Sequence, residues 1–192
     1  MGEREIRNFT VELEARGEDD AGKLRVVGYA ATYGQEYDIY GGAERGGFVE
    51  VMAPGAWKRT VNMGADIRFL ENHAGIPYAR TKAGTLRLTS DDVGLLVDAE
   101  LDPRQQRARD LWAAIERGDV DQMSVAFEVV RQAWSEDRSH RTILEVKGYD
   151  VSAVTYPANE RTMVLAGRAE DKPAEVRSGM SLRHAQALAS AL

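Results

Sequence analysis

The sequence predicts a mainly β domain with flanking helices, an α+β arrangement, and three observations carry that expectation. Short runs that alternate apolar and polar residues recur along most of the chain, as in Thr85 to Thr89 and Val125 to Val129. Clusters of Gly, Asp, Ser and Pro punctuate them, as in Ser90-Asp91-Asp92-Val93-Gly94. Ahead of the tail, one long stretch, Gln105 to Arg117, keeps Ala108, Leu111, Trp112 and Ile115 at helical spacing with charges opposite.

Composition narrows the class. A chain of 192 residues is long enough for one domain with a real core. Its 43% hydrophobic and 29% charged residues are those of a soluble globular protein. The net charge of −6 and the lack of a Lys/Arg run argue against nucleic acid as a partner. With no cysteine, disulfides, thiolate metal sites and a cysteine nucleophile are excluded. His73, His140 and His184 have no metal-ligand spacing, so neither a metal nor another cofactor is expected. No apolar leader follows Met1, and no run approaches the ~18 apolar residues of a membrane span, so an intracellular chain without a membrane partner is expected.

Taken in order, residues 6–14 read as a strand, with Ile6, Phe9, Val11 and Leu13 interleaved with charge. A polar turn over residues 17–22 leads into Leu24 to Tyr33, and the two strands are expected to pair as a hairpin. Gly34 to Gly47 reads as an exposed loop and Phe48 to Met52 as a short strand. Pro54 favours a short helix over residues 53–60, anchored in the core by Trp57. Asp66 to His73 is a strand ending on a histidine, and Ala74-Gly75-Ile76-Pro77 is expected to break regular structure. Two further strands, Thr85 to Thr89 and Leu95 to Leu101, flank a hairpin turn in which Asp91 and Asp92 are turn formers. Asp102 is expected to cap the long helix, with Pro103 in its first turn and Gly118 ending it.

Gly118 delivers the chain to Ser124, at or near the start of a strand. A serine there stands on rigid backbone, as a nucleophile requires, although a lone serine in a strand is more often only a tolerated polar residue. A charged turn over residues 135–140, with His140 exposed, precedes a strand at Thr142 to Val146. Gly148 to Asn159 is the last strand, with Asp150, Ser152 and Val154 on one face. The domain is expected to span residues 1–166. Residues 167–192 then form a charged linker around Pro173 and a short helix from Ser181 to Leu192.

Three stretches carry a resemblance: Leu70-Glu71-Asn72-His73, Gln122-Met123-Ser124-Val125-Ala126-Phe127, and Gly148-Tyr149-Asp150-Val151-Ser152-Ala153-Val154-Thr155-Tyr156-Pro157-Ala158-Asn159. In this order and spacing the chain resembles the tailed-phage prohead (head maturation) protease family over residues 5–165. Ala53-Pro54-Gly55-Ala56-Trp57, Asp92 to Val97 and Glu116-Arg117-Gly118-Asp119 support it. That family is similar to the herpesvirus assemblins, so the resemblance implies an assemblin-like β-barrel flanked by helices.

It also implies a serine endopeptidase of phage or prophage head maturation, acting in the host bacterial cytoplasm inside the immature prohead. The implied partners are the major capsid protein, the scaffold and the chain itself through autocleavage, with self-association left open. Ser124 matches the family nucleophile, His73 the general base, and Asp150 the third group, where the family usually has an acid, often Glu. Asp is a shorter arm, so its strand must come closer or a water must bridge. Ala126 stands where the family often has Gly. A catalytically silent capsid-assembly or scaffolding protein is the alternative; an esterase would be expected to carry a Gly-x-Ser-x-Gly elbow, which is absent.

Overall fold

The computed structural model describes residues 3–9, 13–16 and 24–155. In chain order it holds β1 (Arg4–Phe9), β2 (Leu13–Arg16), β3 (Leu24–Thr32), β4 (Glu36–Ile39), β5 (Phe48–Met52), α1 (Lys58–Asn62), β6 (Arg68–Glu71) and β7 (Ala74–Arg80). Then follow β8 (Leu86–Ser90), β9 (Gly94–Leu101), α2 (Gln106–Arg117), β10 (Gln122–Trp134) and β11 (His140–Val154). The fold is mainly β with few helices, as the alternating runs predict.

Strand β11 is the spine of the first sheet, whose order is β1-β10-β11-β5-β4. One edge of β11 pairs antiparallel with β10 along most of its length. Its other edge is shared in parallel by β5, from His140↔Val49 to Ile143↔Met52, and by β6, from Asp150↔Arg68 to Ala153↔Glu71. Strand β7 then pairs with β6. The second sheet runs β2-β3-β9-β8, all antiparallel. The apolar face of α2, Ala108, Leu111 and Ile115, is buried where that helix meets β2 and β3. Gly118 ends α2 in the left-handed region at φ 80°, which glycine adopts without penalty.

Between the two halves of β11 the pairing slips: Ala126 faces Asp150 while Phe127 faces Gly148, which leaves Tyr149 as the extra residue of a bulge. Helix α1 holds that bulge. Trp57, wholly buried, meets Phe127 edge-on at 5.9 Å. Thr60 Oγ1 donates to the Val146 carbonyl (2.6 Å) and accepts from the Gly148 N–H (3.2 Å), satisfying backbone groups that the bulge frees. Trp57 is thus a core anchor, as expected, and α1 sets where the chain resumes toward Asp150.

The structure corrects several expectations. Residues 6–14 are not one strand: β1 joins β10 in the first sheet, and β2 pairs with β3 in the second. Ile6 and Phe9 stand three apart, so a two-residue period places them on opposite faces; Phe9 is buried and Ile6 is exposed. Residues 34–47 include β4, paired with β5, and a single 3-10 turn at Ala43–Arg45. Ala74 to Pro77 continue as β7, because proline costs no ladder bond on an edge strand. Asp102 does not cap α2; its carboxylate accepts from the Arg104 N–H, and Gln105 is the cap. The strands expected at 142–146 and from 148 onward are one strand, β11, made continuous by the bulge and ending at Val154; residues 156–159 of the expected last strand lie outside the described residues.

The implied closed barrel is not found. Among the described residues the ladders form two separate sheets with β1, β4, β7, β2 and β8 at edges. Closure depends on which edges meet, and alternation within single strands carries no information about that. The expected tail, residues 167–192, lies outside the described residues. No helix among the described residues is long and apolar enough to cross a membrane.

Candidate active site

Ser124 is the third residue of β10, an interior strand, with Asn8 of β1 and Ser152 of β11 as its cross-strand partners. Asp150 lies two residues before Ser152 and so shares its face of β11. Parallel pairing of β6 with β11 carries the β6–β7 turn to the same face. That turn is Asn72-His73, with Glu71 and Ala74 paired across it and φ of 50° and 59° at its two residues. Two positive φ values in a two-residue hairpin loop match the right-handed twist of the strands, and Asn and His tolerate that region better than most.

The turn is tied down at both ends. The Asn72 N–H donates to the Ala153 carbonyl (3.0 Å), and its side-chain oxygen accepts from the Thr155 N–H (3.1 Å). The His73 N–H donates to Ser152 Oγ at 3.2 Å. A strained turn fixed by neighbouring strands is a precise mount for a side chain.

The imidazole then bridges the other two groups. His73 Nδ1 lies 2.5 Å from Asp150 Oδ1, and Nε2 lies 2.6 Å from Ser124 Oγ. No water is needed to span the shorter Asp arm, because the parallel β6–β11 pairing supplies the closeness. A carboxylate only accepts, so the ring proton belongs on Nδ1 and Nε2 is left bare to accept from the Ser124 hydroxyl. That hydroxyl also faces the Arg7 carbonyl of β1 at 3.0 Å. One proton is shared between two acceptors. Aimed at Nε2, it is set for transfer to the ring; aimed at Arg7, it requires Nε2 to be the donor, and hence a doubly protonated imidazole.

Ser124 and Ser152 are fully buried, and the side chains of Asp150 and His73 are 5% and 12% exposed. Burial at this level favours strong hydrogen bonds and demands that each polar atom has a partner. Ser152 Oγ donates to Asp150 Oδ1 (3.1 Å) and stands 3.2 Å from His73 Nδ1, so it meets both members of that pair. Arg4 of β1 reaches Asp150 Oδ2 at 2.5 Å.

Of the residues singled out from sequence, Ser124, His73 and Asp150 stand together. His140 is exposed at the opposite end of β11, with its Nδ1 on Ser139 Oγ. Asp91 is a turn former: its carboxylate accepts the Val93 and Gly94 N–H groups. Sequence analysis missed Ser152, although its shared face with Asp150 was legible. It also missed Arg4 and the Arg7 carbonyl, for which the sequence carries no signal. Among the described residues no group of three or more His, Asp or Glu side chains is placed to hold a metal ion.

A family model described as caudovirus prohead serine protease matches residues 10–175. The prohead protease of Enterobacteria phage HK97 is 29% identical over 126 residues, covering 64% of this chain and 54% of that protein. The chain therefore spans about half the length of that curated relative. The solved structure of the bacteriophage T4 capsid assembly protease is similar at a TM-score of 0.43 and 11% identity, over 80% of this chain and 99% of that one.

Proposed function

The chain belongs to the caudovirus prohead serine protease family, and from that premise we propose that it is a serine endopeptidase with Ser124 as nucleophile, His73 as general base and Asp150 as the group that orients the base. One observation carries the assignment: a single buried imidazole touches Ser124 Oγ through Nε2 and a carboxylate through Nδ1. That is the arrangement by which a hydroxyl is made nucleophilic at neutral pH.

In the proposed mechanism His73 Nε2 takes the Ser124 proton as Oγ attacks a peptide carbonyl. Asp150 keeps the other ring proton on Nδ1 and stabilises the imidazolium that forms. The imidazolium then gives its proton to the leaving amine, and water, activated by the same ring, resolves the acyl-enzyme. The substrates are scaffold protein or the scaffolding segment of a major capsid protein, inside the immature prohead in the host cytoplasm, together with the chain itself. The likeness to herpesvirus assemblins belongs to the same proposal, as a serine–histidine pair on a mainly β frame.

A fluorophosphonate probe tests the nucleophile without knowledge of the substrate. The probe should label the wild-type chain on the peptide containing Ser124. Ser124→Ala should stay folded and lose both labelling and cleavage of scaffold or capsid protein by about 10³-fold or more. Cleavage by Ser124→Ala at the wild-type rate would end the proposal.

A further inference from the structure

Asp150 has two carboxylate oxygens, and they are used differently. Oδ1 accepts from His73 Nδ1 and from Ser152 Oγ. Oδ2 takes the Arg4 guanidinium at 2.5 Å. The Asp150 side chain is 5% exposed, so a carboxylate there needs charge compensation, and while His73 is neutral its cationic contact is Arg4. Arg4 belongs to β1 and Asp150 to β11, with β10 between them. The register sets Arg4 opposite Glu128, and Ala126 opposite both Ile6 and Asp150. The arginine therefore crosses β10 diagonally beside Ala126, whose small side chain leaves the path open.

We propose that Arg4 is a positioning residue of the site: by holding Asp150 Oδ2 it fixes the rotation of the carboxylate, so that Oδ1 stays aimed at His73 Nδ1. This rests on the nucleophile–base assignment above and extends it to a fourth residue, supplied by the N-terminal strand. A carboxylate turns freely about its last bond unless both oxygens are held. Ser152 and the imidazole hold one; Arg4 holds the other. The Arg4 side chain is 47% exposed, so the contact is reachable by mutation with little loss of core.

The Arg4 contact touches neither Ser124 nor His73, so its loss should change reactivity rather than probe binding. Fluorophosphonate labelling resolves the two as the maximal inactivation rate and the probe affinity. Arg4→Ala is expected to lower the maximal rate about tenfold, the worth of one charge-assisted hydrogen bond, with affinity unchanged. Arg4→Lys, which keeps the charge and one donor, should recover part of the rate; Arg4→Gln separates the donor from the charge. The downfield proton resonance of His73 Nδ1–H, read by NMR on the full chain, should shift or broaden in Arg4→Ala and recover in Arg4→Lys; the unpaired carboxylate lowers the melting temperature of Arg4→Ala, while its far-UV circular dichroism at the assay temperature stays that of the folded wild type. An unmoved resonance together with a wild-type maximal rate in Arg4→Ala would overturn the assignment. If the wild type itself is not labelled, the nucleophile assignment fails, and the His73 resonance alone decides for or against Arg4.

Discussion

At the scale of single residues the site depends on one ring making two contacts. His73→Ala removes both and is expected to leave labelling of Ser124 near background. His140→Ala should behave as wild type, since that side chain is exposed and its ring contact is to Ser139. A reversal of the two phenotypes would displace His73 as the base. Asp150→Asn offers Nδ1 an amide that can donate, which favours the wrong tautomer; a loss of about 10²–10⁴-fold in kcat is expected with the fold retained. Far-UV circular dichroism beside the rate separates this from unfolding. That Ser124, His73 and Asp150 would stand together was expected only from the resemblance of three stretches, taken as an ordered set, to the prohead protease family; no one of those stretches carries it alone. Arg4 was not legible, since an arginine in a charged N-terminal segment looks the same whether it meets solvent or a carboxylate two strands away.

At the scale of elements, legibility followed periodicity and failed where a partner or an irregularity decided. Helix α2 and the β8–β9 hairpin follow from apolar spacing and turn residues alone. The β6–β7 hairpin does not, because its turn is Asn72-His73 instead of a glycine pair and its second strand carries Pro77. The bulge in β11 was likewise read as a gap between two strands. Gly148 shows what the bulge requires. A Cβ at that position would stand 2.5 Å from Trp57 Cζ3 and 3.1 Å from both Ile67 Cδ1 and Thr60 Cγ2. Trp57 and Ile67 are buried with no room to retreat, so Gly148→Ala must move α1 or the strand. A destabilisation of about 1–3 kcal/mol is expected in urea unfolding. Because the displaced backbone leads directly to Asp150, labelling of Ser124 should fall as well. A variant with full stability and full labelling would show that the bulge does not position the site.

At the scale of the whole molecule, β1 is held to the first sheet by a buried cluster of charge, invisible to a hydropathy pattern. Glu50 of β5, fully buried, accepts from Arg7 (2.6 Å), Arg141 (2.9 Å) and the Tyr37 hydroxyl (2.7 Å). Glu5 of β1 accepts from the same two arginines, Arg7 at 2.5 Å and Arg141 at 2.7 Å. Burial opposes the charge on the Arg7 guanidinium, but the hydrogen bond and charge of Glu50 outweigh it and hold Arg7 protonated well above its ordinary range. Glu50→Ala would leave two arginines with a vacated carboxylate site between them, and a loss of about 3–5 kcal/mol is expected. Since β1 also supplies Arg4 and the Arg7 carbonyl to the site, unfolding of that strand and loss of labelling should coincide in the Glu50→Ala denaturation curve.

Acid should reach the same cluster through Glu5. Burial raises its carboxyl, yet the hydrogen bond from Arg141 and the charges of Arg7 and Arg141 win, so the net displacement is below the ordinary 4.5. A carboxyl held lower in the folded than in the unfolded chain binds fewer protons when folded. Its contribution to stability is therefore fully present above about pH 4.5 and is lost as pH falls through the lower folded value. The wild-type melting temperature should drop steadily below that pH, while Glu5→Gln, already without the charge, should start lower and fall less. Parallel curves for wild type and Glu5→Gln below pH 4.5 would remove Glu5 as the acid-sensitive tie and place that sensitivity in other carboxylates.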